Sequence, residues 1–173
     1  MDLSHNRLED EIFVKISSMT NLRILRMQHN CLSSIPEDVE NLRSLMMLDC
    51  SFNQIAEISP QIGKILGLSS LMLRHNLIEH LPNEFFRLTN LQQLALSHNK
   101  IRSIPTLIGQ LTGLREVSFE NNQLMSIPLE LGNLTSIEQL RLEDNPGNLL
   151  PEGFTAKGMD AVMEFFAWNC QYT

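Results

Sequence analysis

The chain has 173 residues, of which 43% are hydrophobic, so it is long and apolar enough to bury a core. Its formal net charge of −7 argues against a general affinity for nucleic acid, because neutralising phosphates requires clustered Lys and Arg. Three widely spaced cysteines, an acidic N-terminal segment and the lack of 18 consecutive apolar residues predict a reduced, cytoplasmic protein that does not enter a membrane.

A repeat of 23 residues runs through almost the whole chain, and seven asparagines mark it. Each asparagine follows a leucine-like residue by three positions, as Asn99 follows Leu96. The first interval between these asparagines is 24 residues, and each later interval is 23. Such periodicity predicts a solenoid of stacked units. The asparagines are Asn6, Asn30, Asn53, Asn76, Asn99, Asn122 and Asn145.

Each unit is predicted to contain one short strand and one narrow return segment. Alternation of residue types predicts that Leu94 and Leu96 face inward. The residues beside them, Gln93, Ala95 and Ser97, are then predicted to face outward. Stacked parallel strands need a crossover of about a dozen residues, which the rest of each unit supplies. The asparagine amides can form a ladder of hydrogen bonds to turn backbone, and a proline six residues later favours a 3₁₀ or extended return.

Residues Leu91 to Ile101 follow the pattern LxxLxLxxNxI, which resembles the leucine-rich repeat consensus. Pro105 and Gly109 belong to the IPxxIGxLxxL pattern that follows, and this pattern recurs in other units. This second half is similar to the intracellular Ras-group repeat proteins, which include Ras suppressor proteins, Scribble-type scaffolds and plant intracellular Ras-group proteins. The resemblance implies an α/β leucine-rich repeat solenoid, with a curved parallel sheet on its concave face and short 3₁₀ or extended segments on its convex face.

Two regions are predicted: the repeats at 1–154, of which the first is truncated, and a C-terminal capping helix and tail at 155–173. The helix is predicted over 155–169, because apolar residues recur there at helical spacing on one face. A solenoid needs such a cap to cover its last unit. The apolar residues are Met159, Val162, Met163 and Phe166.

The N-terminal end differs, because Met1 already occupies an inward strand position and no capping segment precedes it. We therefore expect the chain to be a piece of a longer array, with an open edge over Leu3 and Leu8. Unprotected strand edges invite pairing with another chain. Self-association through this N-terminal edge is a further expectation.

Residue types that often carry chemistry have a structural explanation in this sequence. His5, His29, His75 and His98 each precede a repeat asparagine, and a row of equivalent positions does not converge on one point as zinc ligands must. Cys50 replaces an inward leucine, so a buried and inert thiol is expected. The sequence has no GxSxG, GxxxxGKS, HExxH or GxGxxG motif. We therefore expect no catalytic residue, no metal and no cofactor, and a protein that is not an enzyme.

Outward strand positions have no predicted duty in the core, so they are the candidate binding residues. The early units place apolar and basic residues there, and the late units place acidic ones. A mixed surface of this kind is typical of protein docking, and ordinary variation of solvated residues is the alternative. The candidates are Ile24, Arg26, Met47, Met72, Arg74, Glu116, Glu120 and Glu143.

The favoured function is that of an adaptor or scaffold in intracellular signalling, which binds another protein through its concave face. The resemblance implies a Ras-type small GTPase or its effector complex as the partner. Two alternatives stay open. The array could be the recognition or targeting module of a larger enzyme, such as a Roco-type GTPase, a ubiquitin ligase or a kinase. It could also be a fragment of an extracellular recognition receptor, in which the sequon at Asn133 would carry a glycan.

Overall fold

The computed structural model describes residues 1–150 and 161–166. Strands and 3₁₀ helices alternate along this part of the chain, and 161–166 is helical. In chain order, the helix and strands are α1 (Ile12–Ile16), β1 (Ile24–Arg26), β2 (Ser34–Ile35), β3 (Met47–Asp49), β4 (Glu57–Ile58), β5 (Ser70–Met72), β6 (Gln93–Ala95), β7 (Glu116–Ser118) and β8 (Gln139–Arg141). The 3₁₀ helices are Glu37–Asn41, Pro60–Lys64, Asn83–Arg87, Thr106–Gln110 and Leu129–Asn133.

Strands from successive units form one parallel sheet, in the order β1-β3-β5-β6-β7-β8. Each pair joins residues 23 positions apart, as Leu71 is paired with Leu94. Asp2 adds a parallel bridge to Arg26, so the first residues extend the sheet beyond β1. The predicted parallel-sheet solenoid is confirmed. A second parallel pair, β2 with β4, was not anticipated from the sequence.

The core lies behind the sheet and is built from the inward positions of every unit. Leu94 and Leu96 are both buried, as alternation predicts, and so is Cys50 in the position of a leucine. Burying one aliphatic side chain contributes about 1.5–3 kcal/mol to stability before entropy is counted. Because each unit places only a few such side chains against its neighbours, stability comes from the interfaces between units.

The repeat asparagines connect each unit to the previous one. The Asn76 Oδ1 accepts a hydrogen bond from the backbone N–H of Ile55 at 2.9 Å. Its Nδ2 donates to the carbonyl oxygens of Cys50 at 3.0 Å and of Leu73 at 3.1 Å. Asn6, in the first unit, donates only within its own turn, to Leu3 and a neighbouring residue. From the second unit onward, the asparagine amide therefore satisfies buried backbone groups that belong to two consecutive turns.

The return segments follow the proline pattern. Pro36, Pro82, Pro105 and Pro128 each stand directly before a 3₁₀ helix in extended conformation, which agrees with the predicted 3₁₀ or extended return. The first unit lacks this proline and has one more residue, and it forms the α-helix α1 instead.

Asp10, just before α1, ties the first unit to the second. Its carboxylate accepts hydrogen bonds from the backbone N–H and the hydroxyl of both Ser33 and Ser34, at 2.6–3.1 Å. Burial raises the pKa of Asp10, but these hydrogen bonds outweigh it and hold the pKa below the usual 3.8. The two units are therefore joined on this side by a charged group as well as by the core.

The two ends of the array are described to different extents. At the N-terminal edge, Leu3 and Leu8 are half-buried, and the predicted self-association there stays a prediction. At the other end, Val162 and Phe166 are buried in the same core as the repeats. The rest of the predicted capping region, including Met159, lies outside the described residues.

Candidate functional site

The outward side chains of the six-stranded sheet form three rows, which we call the concave surface. The in-register pairing places equivalent residues of successive units side by side, and all eight candidate binding residues lie in these rows. The first row is Ile24, Met47, Ser70, Gln93, Glu116 and Gln139, the second is Arg26, Asp49, Met72, Ala95, Ser118 and Arg141, and the third is Gln28, Ser51, Arg74, Ser97, Glu120 and Glu143.

The N-terminal half of the concave surface is apolar and basic. Ile24 is 41% exposed, and it is paired in register with the half-buried Met47. Met72 and Arg26 are also half-buried, whereas Arg74 is exposed. Neither arginine forms a salt bridge within the described residues. The structure therefore brings these five predicted residues together on neighbouring strands, and it leaves both guanidinium groups without a salt bridge to a described residue.

The C-terminal half carries the three predicted acids, Glu116 on β7, Glu120 just beyond β7 and Glu143 just beyond β8. Glu116 and Glu143 are exposed, and Glu120 is half-buried. The Glu116 carboxylate accepts a hydrogen bond from the Gln93 Nε2 at 2.7 Å. One carboxylate oxygen of Glu120, Oε2, is buried without a hydrogen-bond partner. These acids face the same side of the sheet, but they form no salt bridge with any described residue.

The expectation that outward positions have no role in burial is wrong for the small residues in the middle of the surface. Ala95, Ser97 and Ser118 are 1%, 2% and 7% exposed. Their short side chains lie among longer ones at adjacent positions, such as Gln93 and Glu116. The concave surface therefore has depth, which a pattern of inward and outward positions does not predict.

One concave dip results, and we define it by its floor and its ends. Ala95 and Ser118 line the floor, Arg74 lines it at one end, and Arg141 at the other. The enclosed volume is about 40 Å³. Sequence reasoning chose Arg74 but missed Ser118 and Arg141. The sequence signal for this dip is a run of small residues, at equivalent positions of consecutive units, that stands between long residues.

A column of stacked rings follows the third row, with one ring in each of the first five units. The rings of His5, His29, Phe52, His75 and His98 stack in this order, with centroids 4.0–4.4 Å apart and planes within 15° of parallel. All five residues have φ between 52° and 57°, the left-handed region that ordinary residues rarely adopt. Stacking on the neighbouring units helps to stabilise this unfavourable conformation.

The ring column does not have the geometry of a metal site. Nearly parallel imidazoles direct their nitrogen lone pairs side by side rather than toward one point, as a tetrahedral site requires. In the described part of the chain, no group of three or more His, Cys, Asp or Glu side chains is placed to hold a metal ion. Burial lowers the pKa of His75 below 6.5, and the nearby His98, Arg74 and His29 lower it further. The His75 imidazole therefore resists gaining a proton.

The thiols differ in accessibility. Burial raises the pKa of Cys50 far above its usual range, and the nearby Asp49 carboxylate raises it further, so this thiol is inert at neutral pH. Cys31 is exposed, and neither it nor Cys50 forms a disulfide.

Within 1–150 and 161–166, no helix combines the length and apolarity needed to cross a bilayer.

Comparison with known families agrees with the repeat architecture. A model described as leucine-rich repeat region matches residues 59–149, and one described as Leucine Rich Repeat matches residues 21–42. The chain therefore belongs to the leucine-rich repeat proteins, a class whose members generally bind other proteins. No curated protein sequence matches it closely.

Solved structures share the fold at substantial sequence identity. A leucine-rich repeat protein of Leptospira interrogans is 36% identical with a TM-score of 0.82, over 88% of this chain and 38% of that one. The plant peptide hormone receptor RGFR1, solved in complex with RGF2, is 30% identical with a TM-score of 0.76, over 84% of this chain and 24% of that one. The chain thus spans well under half the length of both structures.

Proposed function

We propose that the chain is a protein-binding module, an adaptor or scaffold, that holds a partner against its concave surface. The observation that carries this proposal is the combination of exposed apolar groups and unpaired cations on rigid neighbouring strands. Ile24 and Met47 offer apolar area, and Arg26 and Arg74 offer charges that form no salt bridge within the described residues, although the exposed Asp2 carboxylate lies near Arg26. Strand-borne side chains lose little freedom on binding, which favours affinity.

The comparisons support a binding role in general terms. Leucine-rich repeat proteins bind other proteins as a class, and one similar structure is a peptide hormone receptor in complex with RGF2. The 23-residue spacing resembles that of the Ras-group proteins. On that basis we further propose a cytoplasmic location and, as partner, a Ras-type small GTPase or its effector complex.

The size of the concave surface sets a condition on the complex. Six strands about 4.8 Å apart and about 15 Å long present on the order of 400 Å². A specific interface uses about 800 Å² on each partner. The partner must therefore also contact the rim, where the ring column follows the third row directly. We expect it to touch Phe52, which is 43% exposed, and the histidines beside it.

The test is affinity capture with mass spectrometry, comparing the wild-type chain with an Arg26→Glu, Met72→Glu, Arg74→Glu triple variant. Reversing the two cations and charging the apolar position should remove bound partners, because buried like charges and unpaired carboxylates oppose docking. Circular dichroism establishes that the variant is folded.

A matched control keeps the charge change but moves it away from the sheet. Arg43→Glu, Leu66→Glu and Arg87→Glu together alter two exposed arginines and one exposed apolar residue outside the strands. Partners should be retained by this control. Equal loss from both triple variants, or equal retention by both, would refute binding through the concave surface.

A second candidate function, an extracellular peptide receptor, is favoured by the similarity to RGFR1. It is distinguished by the exposed Asn133, which would carry a glycan after secretion. Expression in secreting cells, followed by mass measurement with and without glycosidase, tests this candidate. The third alternative, a targeting module of an enzyme, requires a catalytic region in the same gene, so sequencing the full transcript tests it.

A further inference from the structure

The concave dip over β6–β8 combines arginines without a salt bridge and a buried hydroxyl without a hydrogen-bond partner, as far as residues 1–150 and 161–166 show. The Arg74 and Arg141 side chains line it from opposite ends, three strands apart, and Ser118 and Ala95 form the floor. Strands about 4.8 Å apart place the two arginine Cα atoms roughly 15 Å from one another. Both guanidinium groups can therefore reach a small group bound above Ser118.

Neither of these arginines is neutralised in the described part of the molecule. Arg102 and Arg115 form salt bridges with Glu79 and Glu138, but Arg74 and Arg141 form none. Glu116 is the acid that lines the dip, and its carboxylate accepts a hydrogen bond from Gln93 and forms no salt bridge with either arginine. A guanidinium offers five donors in a fixed plane, so two unpaired ones directed into one dip favour an oxyanion.

The Ser118 hydroxyl is an independent observation. This side chain is 93% buried (7% exposed), it lines the dip, and its Oγ has no hydrogen-bond partner. A buried hydroxyl without a partner is unfavourable, and it can donate to an incoming oxygen. The floor of the dip is therefore prepared for a polar atom that the described residues do not supply.

We propose that the dip binds the side-chain carboxylate of an aspartate or glutamate in an extended segment of the partner protein. Arg74 and Arg141 donate to the two carboxylate oxygens, and Ser118 donates from below. The small volume of about 40 Å³ suits a compact group such as a carboxylate better than a large one such as an aromatic ring. This inference rests on the proposed function, because it specifies what the concave surface recognises.

A lysine or arginine of the partner is the competing occupant, since Glu120 Oε2 is a buried acceptor without a donor. Glu120 does not line the dip, however, and the two arginines outnumber Glu116, the carboxylate that does line it, so the dip carries a net positive charge that opposes a second cation. The net charge of −7 acts weakly here, because charges beyond about 8 Å are screened at physiological salt.

The experiment is a nuclear magnetic resonance titration of the full chain with short blocked peptides. The probe is acetyl-Gly-Asp-Gly-amide, and its controls are the same peptide with Asn or with Lys at the centre and triglycine with a free C-terminal carboxylate. The aspartate peptide should shift the Ala95 and Ser118 amide signals and the Arg74 and Arg141 Nε signals. The Asn and Lys peptides should leave these signals unchanged.

Variants connect the shifts to the dip. Arg74→Gln and Arg141→Gln should each weaken the aspartate peptide about fivefold, and Ser118→Ala about threefold. Arg115→Gln removes an arginine paired elsewhere, with Glu138, and should not change binding. An unchanged dissociation constant in both dip arginine variants would overturn the proposal. So would tighter binding of the lysine peptide, stronger binding of triglycine, or no shifts at all.

Failure of this inference is distinguishable from failure of the proposed function. If the concave triple variant loses its partners while the peptides do not bind, the surface docks a protein but the dip does not take a carboxylate. If the peptides bind in the dip while captured partners ignore the concave substitutions, the carboxylate site stands and the docking proposal falls.

Discussion

Replacing Asn99 with alanine should destabilise the chain strongly, because one amide serves backbone groups of two units. Its Nδ2 donates to the carbonyls of Leu73 at 2.9 Å and Leu96 at 3.0 Å, and its Oδ1 accepts from the N–H of Ile78 at 3.0 Å. Asn99 is 8% exposed, so water does not readily replace it. Each buried group left without a partner costs about 1–3 kcal/mol, and three of them cost about 3–6 kcal/mol after partial relaxation.

A loss of this size is a large share of the 5–15 kcal/mol typical of a domain. Urea denaturation followed by circular dichroism measures it directly. The matched control is Asn6→Ala at the equivalent position of the first unit. Asn6 donates only to Leu3 and Ser4 in an exposed turn, so its loss should cost about 1 kcal/mol or less. Equal destabilisation by the two substitutions would refute the ladder as a connection between units.

Three further substitutions test other contacts. Gly63→Ala should cost about 1–3 kcal/mol in urea denaturation, because its Cβ would overlap the backbone carbonyl of Glu84. Gly67→Ala, whose Cβ would meet its nearest atom at 3.6 Å, should change stability by about 0.5 kcal/mol or less, and a reversed order would contradict this reasoning. Because the pKa of His75 is lowered in the folded state, the unfolded chain gains this proton first as pH falls below 6.5, and the free energy of unfolding decreases. The His75→Phe variant should therefore lose less stability than the wild type between pH 7.5 and 5.5. An equal loss in both would contradict the lowered pKa of His75. Asp10→Asn should cost about 1–2 kcal/mol at pH 7. Because the pKa of Asp10 is held below 3.8, this difference is present above pH 3.8 and should shrink as pH falls through the lowered pKa; a difference that persists in acid would contradict the hydrogen-bond explanation.

Positions that depend on spacing alone could be predicted from the sequence. The burial of Leu94 and Leu96 follows from alternation, and Cys50 is recognised as a core residue only because it occupies the same place in its unit. The 3₁₀ returns follow from Pro82 and its equivalents, since proline fixes φ and removes a donor. Each of these inferences needs one unit and its period, and no knowledge of the neighbouring side chains.

Features that depend on side chains from several units could not be predicted. The dip at Ser118 is lined by Gln93, Glu116 and Arg141 from three different strands, and alternation says only that Ser118 faces outward. The ring column depends on the left-handed backbone at Phe52 and the histidines beside it, which residue spacing does not reveal. The first unit forms α1 because a missing proline releases the segment, and no spacing rule states which helix type then results.

The in-register pairing at an interval of 23 also bears on how the length of such an array can change. Removing residues 70–92 as a block would place Gln93 beside Met47, restore the hydrogen bond between Asn99 and the preceding unit through Ile55, and leave the remaining contacts of equivalent type. Removing a single residue from a strand would instead shift the pairing of that unit with its two neighbours. Duplication or deletion of whole units in the gene therefore lengthens or shortens the recognition surface and leaves the fold unchanged.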